Sequence, residues 1–106
     1  MALRINKDNF DAEVLASGLP VVVEFYSDSC IPCKQLSPIL GDIEDEYEEQ
    51  VKVVKINVNF DPELSEKYEV MASPTLLFFN KGEEKQRIRG ITGKKEIIDV
   101  LETLIY

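Results

Sequence analysis

The sequence predicts an α/β fold: a mixed central sheet of about five strands flanked by four helices. Three observations carry that expectation. The run Val21-Val22-Val23-Glu24-Phe25-Tyr26 is β-branched and aromatic on both faces, as a buried central strand must be. Strand-like runs and segments of helical period then alternate along the chain, which places helices on both faces of one sheet. Near the end, Asn80-Lys81-Gly82 separates two strand patterns and reads as a hairpin turn, so the last pair is antiparallel and the sheet is mixed.

In chain order, a short strand is expected around Leu3–Ile5. A helix over Asn6–Leu15 follows, with Phe10, Val14 and Leu15 at helical spacing. Gly18 and Pro20 break the chain before the strand Val21–Tyr26. Ser27, Asp28 and Ser29 turn it into a second helix, whose stripe is Leu36, Leu40, Ile43 and Tyr47. Pro38 lies inside that helix and is expected to kink it. Val51–Val58 forms the next strand. Asp61 and Pro62 look like an N-cap and a first-turn proline, opening a short helix to Tyr68. Thr75–Phe79 and Lys85–Arg89 are the hairpin strands. A last helix, Lys94 to about Leu104, buries Ile97, Ile98, Leu101 and Leu104.

At 106 residues, with no repeat, low-complexity tract or linker, residues 1–106 read as one domain. Apolar residues make up 44% and charged residues 30%, a globular balance. The formal net charge of −8 argues against nucleic acid and anionic membrane as partners. No apolar run reaches the ~18 residues of a membrane span. The start, MALRINKDNF, lacks the apolar core of a secretory signal, so a cytoplasmic location is expected. Histidine is absent, which removes Ser-His-Asp and Cys-His catalysis. Structural zinc takes four ligands, usually Cys or His, and the chain has two cysteines, so no metal site is expected. Six acids between Asp42 and Glu49 read as a solvated face.

The chemistry lies in Cys30-Ile31-Pro32-Cys33, where a buried strand hands over to a helix. Unpaired N–H groups and the positive end of the dipole favour an anion there. A free thiol of pKa ~8.5 is only about 3% thiolate at pH 7, and the thiolate is the attacking form. Lowering that pKa makes Cys30 a usable nucleophile, and Cys33, one turn on, can resolve the mixed disulfide. Pro32 suits a first-turn position, which needs no N–H. The alternative is a structural or metal-binding pair, with zinc or iron–sulfur ligands shared across a dimer.

A CxxC at the head of a proline-containing helix, followed by Ser73-Pro74-Thr75 and an apolar strand, resembles the thioredoxin family. The resemblance runs from about Ile5 to Leu104 and includes Asp61-Pro62-Glu63-Leu64, Glu66-Lys67-Tyr68, Leu76–Phe79, Gly82 and Gly90. The 29 residues before Cys30 fit the extra N-terminal strand and helix that glutaredoxins usually lack. It implies a thioredoxin fold and a protein-disulfide reductase with no cofactor beyond its own Cys30–Cys33 disulfide. Implied partners are disulfide-bearing protein substrates and a thioredoxin-reductase-type electron donor, with the chain itself a monomer.

The resemblance also implies roles at four further positions. Pro74 matches a cis-proline facing the disulfide, and Ser73 before it pairs backbone with substrate; the plain alternative is a trans proline at a strand start. Glu24 matches a buried acid, usually aspartate, that takes a proton from Cys33. Desolvation in an apolar strand should raise its pKa, unless its extra methylene lets it reach solvent. Lys55 matches the lysine paired with that acid, or is an exposed strand lysine. Gly90 lets a substrate backbone approach closely, or is a turn glycine.

Three departures mark the active-site loop and its neighbour. Ser29 replaces the family's usual tryptophan, Ile31 replaces glycine, and Ser73 replaces the common isoleucine. Arg89 occupies a typically apolar groove position as well. Ile31, Pro32, Ser73, Pro74 and Gly90 are thus the expected substrate-contacting positions, with altered partner preference. A noncatalytic binding module and a protein dedicated to one partner pathway are the competing functional readings.

Overall fold

A computed structural model describes residues 2–90 and 92–105. Its elements are β1 (Leu3–Arg4), α1 (Asp11–Leu15), β2 (Val21–Tyr26), α2 (Ile31–Glu46), β3 (Lys52–Asn57), α3 (Pro62–Lys67), β4 (Thr75–Asn80), β5 (Glu83–Arg89) and α4 (Lys94–Ile105). The strands form one sheet in the order β1-β3-β2-β4-β5. β3 runs parallel to both β1 and β2, while β4 is antiparallel to β2 and β5. The mixed sheet and four helical segments match the expected architecture.

Pleating divides the core in two. Val21, Val23 and Phe25 of β2 join Phe10, Val14, Val54, Ile56, Leu77 and Phe79 on one face. Val22 faces the other way, with Leu36, Leu40 and Ile43 of α2 and Ile97 and Leu101 of α4. Each fully buried side chain of this kind contributes about 1.5–3 kcal/mol. This alternation fixes the position of Glu24: two residues beyond Val22, it must point under α2.

The first helix is shorter than the periodicity suggests. Asn6 and Asn9 side chains accept from the N–H groups of Asp8 and Asn6, both at 2.8 Å, so local turns replace helix there. α1 itself is π-helical, with Ala16 N–H donating to Asp11 O at 2.9 Å. Phe10 still anchors the segment, at ring-centroid distances of 5.2 and 5.8 Å from Tyr68 and Phe79.

Asp61 corrects a second expectation. It occupies the N-cap position of α3, but its side chain makes no capping bond. Its Oδ2 instead accepts from the Lys7 N–H at 2.6 Å, tying the N-terminal segment to α3. In α2 the helix continues past Pro38, which has no N–H to offer the preceding turn. The β4–β5 turn takes Lys81 and Gly82 through φ of 53° and 81°, the left-handed pair that matches a twisted hairpin. α4 buries Ile97 and Leu101 fully, with Ile98 and Leu104 only partly covered.

Candidate active site

β2 ends at Tyr26, and the Ser27–Ser29 turn is held at both ends. Cys30 N–H donates to Ser27 O at 3.2 Å, and Asn57 Nδ2 donates to Asp28 Oδ1 at 3.0 Å. Cys30 then takes the N-cap position of α2 with extended backbone angles, and Pro32 sits in the first turn. The Cys33 N–H donates to Cys30 Sγ at 3.1 Å, so a helix-terminal donor already points at that sulfur. Cys30 and Cys33 are joined as a disulfide with a Cα–Cα distance of 5.3 Å.

The two sulfur-bearing residues open onto different spaces. Cys30 lines a groove of about 1160 Å³, together with Ser29, Ile31, Pro32, Ser73 and Arg89. Cys33 is absent from that lining. It borders a separate cavity of about 180 Å³, shared with Glu24, Tyr26, Asp28, Ser37 and Lys55. One cysteine therefore lines the groove, and the other lines the space beside the buried Glu24.

Glu24 is only 4% exposed, so its extra methylene does not carry it to solvent. Burial pushes its pKa up to about 7, and the Lys55 charge pulls the other way. Lys55 is its register partner on β3. The expected pairing is looser than an ion pair: among the described residues no salt bridge joins the two. The Lys55 ammonium instead lies over the Tyr26 ring, 5.5 Å from its centroid. Glu24 Oε2 and Tyr26 Oη are both buried without a protein hydrogen-bond partner, two polar atoms beside the same cavity.

The loop opposite brings the remaining residues in. Ser73 lines the groove, and the Ser73–Pro74 peptide bond is cis. Thr75 Oγ1 donates to Ala72 O at 2.7 Å and Gly90 N–H to Pro74 O at 2.9 Å, which pins the loop from both sides. Pro74 does not line the main groove; it borders a small hollow with Pro32 and Leu36. Gly90 also lies outside the groove lining. Its φ of 84° and the open space where a Cβ would project fit a turn glycine as well as a close approach. Ile31, next to Cys30, is 67% exposed and lines the groove.

Sequence reasoning missed the far wall of the groove, formed by Pro62, Ser65, Glu66 and Glu69, with Val70 and Met71 beyond. The spacing of Pro62, Ser65/Glu66 and Glu69 marks one helical face and was the available signal. It also missed Tyr26. Among the described residues no group of three or more His, Cys, Asp or Glu could hold a metal ion. No helix among them is long and apolar enough to cross a membrane.

A strand-to-helix disulfide on a mixed sheet, backed by a buried acid, defines a thiol–disulfide oxidoreductase. The thioredoxin family model matches residues 1–103, and the chain belongs to that family. It is 38% identical over 99 residues to a thioredoxin of Rickettsia bellii, covering 93% of this chain and 94% of the relative. It is 32% identical over 102 residues to thioredoxin 1 of Synechococcus elongatus, covering 96% and 95%. A bifunctional thioredoxin reductase/thioredoxin of Mycobacterium leprae is 32% identical over 105 residues, which span 23% of that longer protein. Thiol–disulfide exchange is the activity of this fold and cysteine pair.

Proposed function

We propose that Cys30 is the attacking thiolate of a protein-disulfide reductase and Cys33 its resolving thiol. The observation that carries this division is the separation of surroundings: Cys30 borders the open groove and Cys33 the cavity shared with Glu24. In the reduced protein the Cys30 thiolate, favoured at the helix terminus, attacks one sulfur of a target disulfide. The target S–S bond breaks, one target thiolate leaves, and a mixed disulfide forms. Glu24, ionised, takes the Cys33 proton directly or through water. The Cys33 thiolate then attacks Cys30 Sγ and releases the second target thiolate. Two electrons pass to the target, and the protein is left with its own disulfide.

Ser73 supplies backbone pairing to the docked target, with Ile31, Pro32, Pro74 and Gly90 around it, and Lys55 tunes Glu24. Electrons return from a thioredoxin-reductase-type donor, a partnership that the Mycobacterium leprae relative's name joins in one chain. Residues 1–106 act as one domain, as a cytoplasmic monomer without metal or organic cofactor, since the redox centre is the disulfide itself.

Insulin-disulfide reduction tests the assignment. Cys30→Ser loses turnover, whereas Cys33→Ser accumulates a covalent mixed disulfide visible by mass spectrometry. Unchanged turnover in Cys30→Ser, or trapping by Cys30→Ser and not by Cys33→Ser, overturns it.

A further inference from the structure

The exchange described above uses Glu24 and leaves its neighbour Tyr26 without a task. Both belong to β2 and stand two positions apart, so their side chains leave the sheet on the same face. Val22 shares that face with Leu36 and Leu40 of α2, the helix that carries Cys33 in its first turn. Glu24, Tyr26 and Cys33 all border the cavity of about 180 Å³, which has room for more than one water.

Two oxygens at this cavity lack partners. Glu24 is 4% exposed, and its Oε2 is buried without a protein hydrogen bond; Tyr26 Oη is buried and equally unpartnered. Asp28, Lys34 and Lys55 supply the other charges of the lining. Asp28 Oδ1 accepts from Asn57 Nδ2 at 3.0 Å, and the Lys55 ammonium lies over the Tyr26 ring, so neither contact reaches the two oxygens. A buried polar atom left unpaired is costly, and an ordered water with about three polar partners is the usual remedy. Cα atoms two apart on a strand are about 7 Å from each other, and a water bonded to two oxygens bridges about 5.5 Å between them.

Resting on the reductase reading above, we infer that Tyr26 is a positioning residue for the resolving step. Its phenol oxygen and Glu24 Oε2 hold the two hydrogens of one water and turn a lone pair of that water towards Cys33. The Cys33 proton passes to this water, and the water's own proton passes to the Glu24 carboxylate. The water is thereby restored. The Cys33 thiolate then attacks Cys30 Sγ and expels the target thiolate. Tyr26 neither gains nor loses a proton; its hydroxyl fixes the orientation of the water, which a phenylalanine of the same shape does not.

Rapid acid quenching and mass spectrometry test this, with the reduced protein mixed with a neutral peptide disulfide. The two readings are the rate at which the Cys30 mixed disulfide forms and the rate at which it decays. In Tyr26→Phe it forms at the parent's rate, which reports an intact Cys30 site, and decays about two- to ten-fold more slowly, the range for one hydrogen bond. Glu24→Gln slows decay too, and adding Tyr26→Phe to it changes nothing further, because both act on one proton transfer. Three results overturn the inference: parental decay in Tyr26→Phe, formation slowed as much as decay, or a full second slowing in the Glu24→Gln background. Failure of the parent to form any mixed disulfide at Cys30 instead removes the reductase reading beneath it.

Discussion

Glu24 and Lys55 stand opposite each other in register on β2 and β3, yet the lysine ammonium rests over the Tyr26 ring instead of closing an ion pair with the carboxylate. Desolvation therefore outweighs the attraction, and Glu24 titrates at about 7. An acid with this pKa is part proton donor and part acceptor at neutral pH, which suits the proton transfers of thiol–disulfide exchange.

Glu24 makes stability fall as pH rises. Its folded pKa of about 7 lies above the ordinary 4.5, so between these values the folded state holds a proton that the unfolded chain has lost. Below that window the residue has no effect. Across it stability declines, reaching a loss of about 3 kcal/mol above pH 7. Guanidinium unfolding of the oxidised protein from pH 4 to 8 shows this decline in the parent and not in Glu24→Gln. Parallel curves for the two proteins would sink the assignment.

Removing the Lys55 charge pushes the Glu24 pKa higher still, because that charge is the one influence lowering it. In Lys55→Gln, an NMR titration of the Glu24 carboxyl carbon moves to higher pH. A midpoint that stays or falls would show that the ammonium does not act on the acid.

Asp61→Ala removes the acceptor for the Lys7 N–H and frees the N-terminal segment from α3. The loss is about 1.5–3 kcal/mol, the range for a hydrogen bond to a charged group. Asp61→Asn, which keeps an acceptor oxygen, recovers part of it. Chemical denaturation reads both, and an unchanged midpoint in Asp61→Ala refutes the linkage.

At the β4–β5 turn, Gly82→Ala places a Cβ 3.2 Å from the Leu15 carbonyl oxygen at φ 81°. It costs about 1–2 kcal/mol from the left-handed backbone alone. Lys81→Asn, which creates the Asn-Gly pair preferred in such turns, has the opposite sign. Thermal melts that rank the two variants the other way contradict the turn assignment.

Most of the fold was legible because its signals are local. The Val21–Tyr26 run needed two buried faces, and Asn80-Lys81-Gly82 needed a hairpin. The thiol pair was equally plain, since its chemistry depends on a spacing of one helical turn. The misreadings share a cause. Asn6 and Asn9 compete with the helix through side-chain bonds to nearby N–H groups, and periodicity does not register that competition. Asp61 looked like a cap, but its bond goes to Lys7, far away in sequence. The α3 wall was missed because Glu66 and Glu69 are ordinary helix-surface residues until the fold sets them beside the groove that Cys30 lines.

The chain alone determined the sheet, the reactive dithiol and an acid within an apolar strand, because pattern and residue type dictate these without reference to distant partners. Only tertiary packing decided that Cys30 meets the groove while Cys33 meets Glu24, and that Lys55 turns to Tyr26. Those outcomes depend on strand register and on how α2 crosses the sheet, and both are set by contacts between segments remote in sequence.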